Sequence, residues 1–129
     1  MNKENKLIPG LPSGFEDRWN KKLLLKKKLL KAIESNFIKF GFDPLETPSF
    51  EISENIGSFL AEDDSNPMSN VFSFQDGKKN ITLRYDLSSP LARFVAQNNQ
   101  ELPPIYKRYA IQNVFRNEKA GNARYREFT

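Results

Sequence analysis

The chain contains neither cysteine nor histidine in its 129 residues. Without cysteine there are no disulfides and no thiolate metal ligands, and without histidine the other usual zinc ligand is missing too. Nucleophile triads that need an imidazole base go with them. No apolar run approaches the length needed to cross a bilayer, and residues 1–10 are polar where a secretory signal would be apolar. The reading from these absences is a cytoplasmic protein without membrane contact. What the chain does contain is enough apolar and aromatic matter for a core, with 11 Phe, 4 Tyr and one Trp, so a single globular domain is expected. Lys and Arg total 20 against 16 Asp and Glu. So small an excess is compatible with an anionic partner without requiring one.

The opening Leu7-Ile-Pro-Gly-Leu-Pro-Ser-Gly14 is broken by proline and glycine, and residues 1–16 read as a lead-in. Residues 17–40 carry Leu23, Leu30, Ile33 and Phe37 at helical spacing with Leu25 and Leu29 beside them, Asp17 placed to cap the start and Gly41 placed for a left-handed C-cap. Lys21, Lys22, Lys26, Lys27, Lys28 and Lys31 stud this helix, which reads as a solvated face in preference to an RNA-binding stripe. Residues 42–50 contain Pro44 and Pro48 and suit an edge or interface strand. Residues 51–60 hold a short helix and 61–70 a surface loop. Val71-Phe-Ser-Phe-Gln75 and Ile81-Thr-Leu-Arg84 alternate like strands around an Asp76-Gly77 hairpin signal. Ser88 or Ser89 is placed to cap a second helix over residues 88–98, with Pro90 in its first turn. Residues 105–115 read as one long strand and residues 124–128 as another. The fold class expected is α+β, a mainly antiparallel sheet with strands near Val71, Ile81, Ile105 and Arg124, flanked by the two helices.

Chemistry concentrates in Val114-Phe-Arg-Asn-Glu-Lys-Ala-Gly-Asn-Ala-Arg-Tyr-Arg-Glu-Phe128, a strand, a basic loop and a returning strand. Arg116, Glu118, Arg124 and Arg126 are expected to project toward a shared surface. Arginine at a strand end presents a planar fork suited to phosphate or carboxylate, and Glu118, two residues on, faces the same way. The plain alternative is a surface hairpin with scattered ion pairs of small energetic weight.

This hairpin resembles motif 2 of the class II aminoacyl-tRNA synthetases: Phe-Arg-x-Glu, a variable loop, then Arg and an aromatic. Leu83-Arg-Tyr-Asp-Leu-Ser-Ser-Pro-Leu-Ala-Arg93 resembles the histidyl branch of that class, Pro12-Ser-Gly-Phe-Glu-Asp17 is similar to its opening segment, and Phe40-Gly-Phe-Asp-Pro-Leu-Glu-Thr-Pro48 resembles motif 1. The resemblance implies ATP-dependent activation of histidine followed by transfer to tRNA(His), with ATP as substrate and Mg2+ expected. By the same resemblance, Arg116 is the catalytic residue and bridges the α-phosphate and the histidine carboxylate. Glu118 serves the adenine amino group, Phe128 lies under the adenine ring, Arg124 belongs to the ATP site, and Lys119 is a candidate contact for the tRNA acceptor end. Asp86 and Ser88 fall where the family receives the amino acid's α-amino group. No metal ligand set is identified.

The chain departs from the family pattern at Ser88, where threonine is usual, at Ala120 in place of a frequent proline, at Glu127 in place of a frequent glutamine, and at Thr129, where an aromatic or histidine is common. Residues 17–129 read as a truncated catalytic domain holding motif 1 and most of motif 2, so the segment by itself is not expected to be active. Homodimerisation through the motif 1 region is implied, with Phe42, Leu45 and Phe50 as its apolar patch. Two rival readings remain: a non-catalytic regulatory paralogue acting in histidine biosynthesis, and an independent basic RNA-binding module. Against the second, Tyr106, Tyr109 and Phe115 are spaced so that some of them must face a core.

Overall fold

A computed structural model of the chain describes residues 8–56 and 70–129. In chain order its elements are α1 (Asn20–Lys39), β1 (Asp43–Pro44), β2 (Phe50–Ile52), α2 (Ser53–Ile56), β3 (Ser73–Asp76), β4 (Lys79–Leu83), α3 (Ser88–Asn98), β5 (Arg108–Tyr109), β6 (Val114–Phe115) and β7 (Glu127–Phe128). The class is α+β. The single sheet expected from the sequence is instead three small ones: antiparallel β2-β4-β3, antiparallel β6-β7 and a parallel pair of β1 with β5. The short helix expected within residues 51–60 is α2 as far as Ile56; residues 57–60 and most of the loop expected at 61–70 lie outside the described residues.

The long strand expected at 105–115 is interrupted, and a side chain explains why. Between β5 and β6, Gln112 takes the place of a backbone ladder: its Oε1 accepts the Thr47 N–H at 3.1 Å and its Nε2 donates to the Thr47 carbonyl at 2.8 Å. A primary amide offers the same donor and acceptor pair as a peptide, so the neighbouring segment is held without strand geometry. That segment carries Pro44 and Pro48, which have no N–H to give a ladder.

The α1 helix starts two residues later than a cap at Asp17 predicts. Trp19 is its N-cap residue, with no side-chain cap bond, and the nearby acid is Glu16, bonded to Arg18 at 2.9 Å and Lys22 at 3.4 Å. Its C-terminus follows the sequence expectation. Gly41 has φ +75°, its N–H reaches the Ile38 carbonyl at 3.0 Å, and the Phe42 N–H reaches the Phe37 carbonyl at 3.0 Å. This is a Schellman ending, with the Phe37 and Phe42 rings 5.6 Å apart as its hydrophobic contact. No α1 residue is fully buried. Leu23, Lys26, Leu30 and Glu34 form the half-buried stripe, while Ile33 and Phe37 of the expected apolar face, and Leu25 and Leu29 beside it, are exposed. The helix is fastened by Phe37 stacked on Tyr109 (5.3 Å) and by the Tyr109 hydroxyl donating to Glu34 at 2.9 Å.

The hairpin between β3 and β4 turns on Gly77-Lys78, one residue later than the Asp76-Gly77 signal, because Asp76 still pairs with Lys79. Gly77 has φ +59° in the first loop position, as a type II′ turn requires. The covered face of this sheet is polar. Glu51 and Thr82, 5% and 0% exposed, lie toward α3, and Arg93 of α3 grips Glu51 through two bonds of 2.7 and 2.8 Å. The opposite face carries Phe50, Ile52 and Phe74, all exposed, with the two phenylalanine rings edge to face at 5.3 Å. The patch expected from Phe42, Leu45 and Phe50 is therefore not formed as such: Phe42 and Leu45 are half-buried, and Phe50 joins Ile52 and Phe74 because strand alternation puts them on one face.

Arg84, at the end of β4, ties the small sheets together. Its N–H donates to the Ser49 carbonyl, its own carbonyl accepts from Phe115, Nε donates to the Asn113 carbonyl at 2.6 Å and Nη1 to the Thr47 carbonyl at 2.8 Å. The side chain is 4% exposed. Burial pulls its pKa down, and the Glu51 and Glu46 carboxylates oppose that pull.

Candidate active site

The two strands β6 and β7 pair Val114 with Phe128 and Phe115 with Glu127, and the Arg116 N–H continues the ladder to the Arg126 carbonyl at 2.9 Å. Beyond them the chain crosses over at a bridge between Gly121 and Arg124. This short, two-stranded support is enough to fix where Arg116 leaves the sheet, and its guanidinium lies over the Tyr85 ring at 4.4 Å and over the Phe128 ring at 5.2 Å. Ring faces attract cations without consuming N–H donors. Accordingly Arg116 makes no ion pair or side-chain hydrogen bond among the described residues, and its Nε is buried without a partner. A buried donor left unmet is costly, and Arg126 Nε is in the same state; what sets Arg116 apart is that it lines a cleft, where an incoming anion can reach it.

Arg116, Glu118, Ala123, Arg124, Tyr125 and Phe128 line a cleft of about 370 Å³. Glu118 is held from two sides: the Tyr85 hydroxyl donates to Oε1 at 2.9 Å, and Arg124 pairs with Oε2 at 3.0 Å. Burial first, and then the bond to the Glu118 carboxylate, push the Tyr85 phenol above its ordinary pKa. Of the residues singled out from sequence, Arg116, Glu118, Arg124 and Phe128 are thus brought to one cleft. Lys119 is exposed and is not among the lining residues.

Asp86 and Ser88 sit at the start of α3, next in sequence to Tyr85. Neither Ser88 nor Ser89 caps that helix by its side chain; Asp86 does, with Oδ1 accepting the N–H groups of Ser88 at 3.2 Å and Ser89 at 3.0 Å. An acidic cap suits the positive end of a helix and fixes the carboxylate's position. The Ser88 residue is exposed.

Arg126 departs from the expectation of a shared arginine surface. It is committed to the lead-in instead: its guanidinium lies over Phe72 at 4.5 Å, bonds Asn117, and donates to the Ser13 carbonyl at 3.3 Å. Its backbone N–H donates to the Gly14 carbonyl at 2.8 Å. Gly14 has φ +84°, and a β-carbon there would lie 2.5 Å from Arg126 Cγ, so only glycine fits. The residue that sequence reasoning passed over is Tyr85. Its signal was its place between Arg84 and Asp86 in the segment already quoted, but nothing in a linear sequence puts its ring under Arg116.

A profile described as histidyl-tRNA synthetase matches residues 14–129. The chain is 84% identical over 128 residues to the histidine–tRNA ligase of Pelagibacter ubique (strain HTCC1062), covering 99% of this chain and 28% of that protein. It is 43% identical over 127 residues to the histidine–tRNA ligase of Rhodopseudomonas palustris (strain BisB18), covering 98% and 24%. Among solved structures, histidyl-tRNA synthetase from Nostoc sp. PCC 7120 superposes with a TM-score of 0.74 at 28% identity, covering 92% of this chain and 26% of that one. A Bacillus halodurans protein described as an ATP phosphoribosyltransferase regulatory subunit/histidyl-tRNA synthetase gives 0.77 at 25% identity, covering 97% and 31%. The architecture is therefore that of the class II aminoacyl-tRNA synthetases. Within that class, the chain belongs to the histidyl-tRNA synthetase family. It spans about a quarter of the length of the curated relatives it matches.

Proposed function

We propose that this chain is the part of a histidine–tRNA ligase that binds ATP and histidine and begins the activation of the amino acid. The observation that carries the reading is Arg116: a guanidinium poised over two rings, lining a cleft, with no carboxylate among the described residues claiming it. In the reaction, the histidine carboxylate oxygen attacks the α-phosphorus of ATP, the bond to the bridging oxygen breaks, and pyrophosphate leaves. Charge builds on the non-bridging oxygens as this happens, and a preorganised donor aimed there lowers the barrier. Arg116 fills that role and also neutralises the carboxylate. Glu118 accepts from the adenine amino group, Phe128 offers its ring to the base, and Arg124, which lines the cleft and pairs with Glu118 at 3.0 Å, belongs to the ATP site. Asp86 and Ser88 receive the histidine ammonium, one supplying charge and the other a directed hydrogen bond. Lys119, exposed on the loop, is the candidate for the tRNA acceptor end, and tRNA(His) is the proposed acceptor.

Mg2+ belongs to the expected chemistry of ATP; among the described residues no three acidic side chains gather, and Glu118 is paired with Arg124. The non-catalytic paralogue reading has less support, because a regulatory subunit has no need to leave Arg116 unpaired. No helix of the described residues is long and apolar enough to cross a membrane. With protein synthesis as its setting, the cytoplasm is the proposed location.

The test is ATP–pyrophosphate exchange by the full-length protein. Exchange is expected with histidine and not with the other amino acids; exchange absent with histidine, in folded protein, rejects the ligase reading. A homodimer is proposed for the full-length protein, supported by the exposed apolar face of Phe50, Ile52 and Phe74, which is larger than scattered single residues. Sedimentation at micromolar concentration is expected to give a dimer, and a monomer there rejects it.

A further inference from the structure

From the geometry around Tyr85 we infer that this residue is the positioning residue of the active site, setting Arg116 and Glu118 at once. The inference rests on the activation reading above and deepens it. One side chain reaches both groups by two different means: its ring face lies 4.4 Å from the Arg116 guanidinium carbon, and its hydroxyl donates to Glu118 Oε1 at 2.9 Å. Tyr85 is itself well placed to be rigid. It follows Arg84, which is tied to three carbonyls, and precedes Asp86, which is fixed as the cap of α3.

The two contacts do different things. A flexible arginine that must meet an anion is weakened by any carboxylate held against it, since the pair must first be broken. A ring face holds the guanidinium in place while leaving its N–H groups for the ligand. Glu118 poses the opposite problem, because a free glutamate two residues further along the chain, lining the same cleft, would compete for Arg116. The Tyr85 hydroxyl and Arg124 occupy one oxygen each and hold Glu118 in a pair that excludes Arg116. Tyr85 therefore keeps the cation and the anion of the site apart.

This predicts a split between two variants in pyrophosphate exchange by the full-length protein. Tyr85→Phe keeps the ring and removes the hydroxyl; the ATP KM is expected to rise about tenfold while kcat changes by less than roughly threefold, the size of one hydrogen bond to a charged group. Tyr85→Leu removes both contacts and is expected to lower kcat by about tenfold or more in addition. Phenylalanine at this position thus rescues kcat and not KM. Equal losses in the two variants, or KM and kcat unchanged in both, overturn the inference, because a residue needed only for folding would not separate the parameters. If Tyr85→Leu does not fold, the KM change of Tyr85→Phe decides alone. A wild-type protein inactive with histidine rejects the activation reading, whereas an active wild type with unperturbed variants rejects only the role of Tyr85.

Discussion

Replacing Arg116 with alanine in the full-length protein is expected to lower histidine-dependent pyrophosphate exchange by roughly 150-fold, about 3 kcal/mol, the scale of losing one preorganised donor in a transition state. The expectation follows from what Arg116 does not do in the free protein. Among the described residues its side chain spends no N–H on a neighbouring carboxylate, its Nε is buried and unmet, and only ring faces hold the guanidinium. Little is therefore lost elsewhere when it is removed, and the whole effect falls on the ligand. Arg116→Lys is expected to recover little of the rate, since an ammonium cannot reproduce the planar fork and stacks less well over Tyr85 and Phe128. Lys27→Ala on the exposed side of α1 serves as the control and is expected to be nearly silent. Near-normal exchange by Arg116→Ala would remove the central residue from the proposed mechanism.

The second large effect is structural. Arg84→Met is expected to destabilise the protein by about 3 kcal/mol, the order found when a buried charged donor is taken from its acceptors. Methionine keeps much of the stem's volume but leaves the Asn113 carbonyl without its 2.6 Å bond and removes one of two donors to Thr47. It also takes a cation away from Glu51, which is 5% exposed and then depends on Arg93 alone. Urea unfolding of the full-length protein measures this directly. A loss below about 1 kcal/mol would mean that the contacts between the small sheets are carried by other groups.

Some of this arrangement was legible before any coordinates. Gly41 marked the end of α1 because a left-handed ending is a local property of four or five residues, and Phe42 supplied its contact. The hairpin from 114 to 128 was legible as a hairpin because period-two alternation and a Gly-containing loop are also local; alternation grouped Arg116, Glu118 and Arg124 with Arg126, and Phe128 joined them only through the resemblance to motif 2. The start of α1 was misplaced because Asp17 is a plausible cap in sequence, while Glu16 is the acid that finds Arg18 and Lys22 in space. The strand at 105–115 was read as continuous from its β-branched and aromatic residues, and Gln112 broke it by bonding Thr47, 65 residues away. Arg126 looked like its neighbours Arg116 and Arg124 and was separated from them by Gly14 and Phe72.

By itself, then, the sequence determined the α+β class and the hairpin that bears the arginines, since local periodicity and residue order specify these, and its quoted motifs carried the resemblance to the family. The tertiary structure alone decided which arginine is free and which is structural. It did so because that distinction depends on what lies across from each guanidinium: the Tyr85 and Phe128 rings for Arg116, the Asn113 and Thr47 carbonyls for Arg84, and the lead-in for Arg126. All three are the same residue type, and their partners come from parts of the chain that only folding brings together.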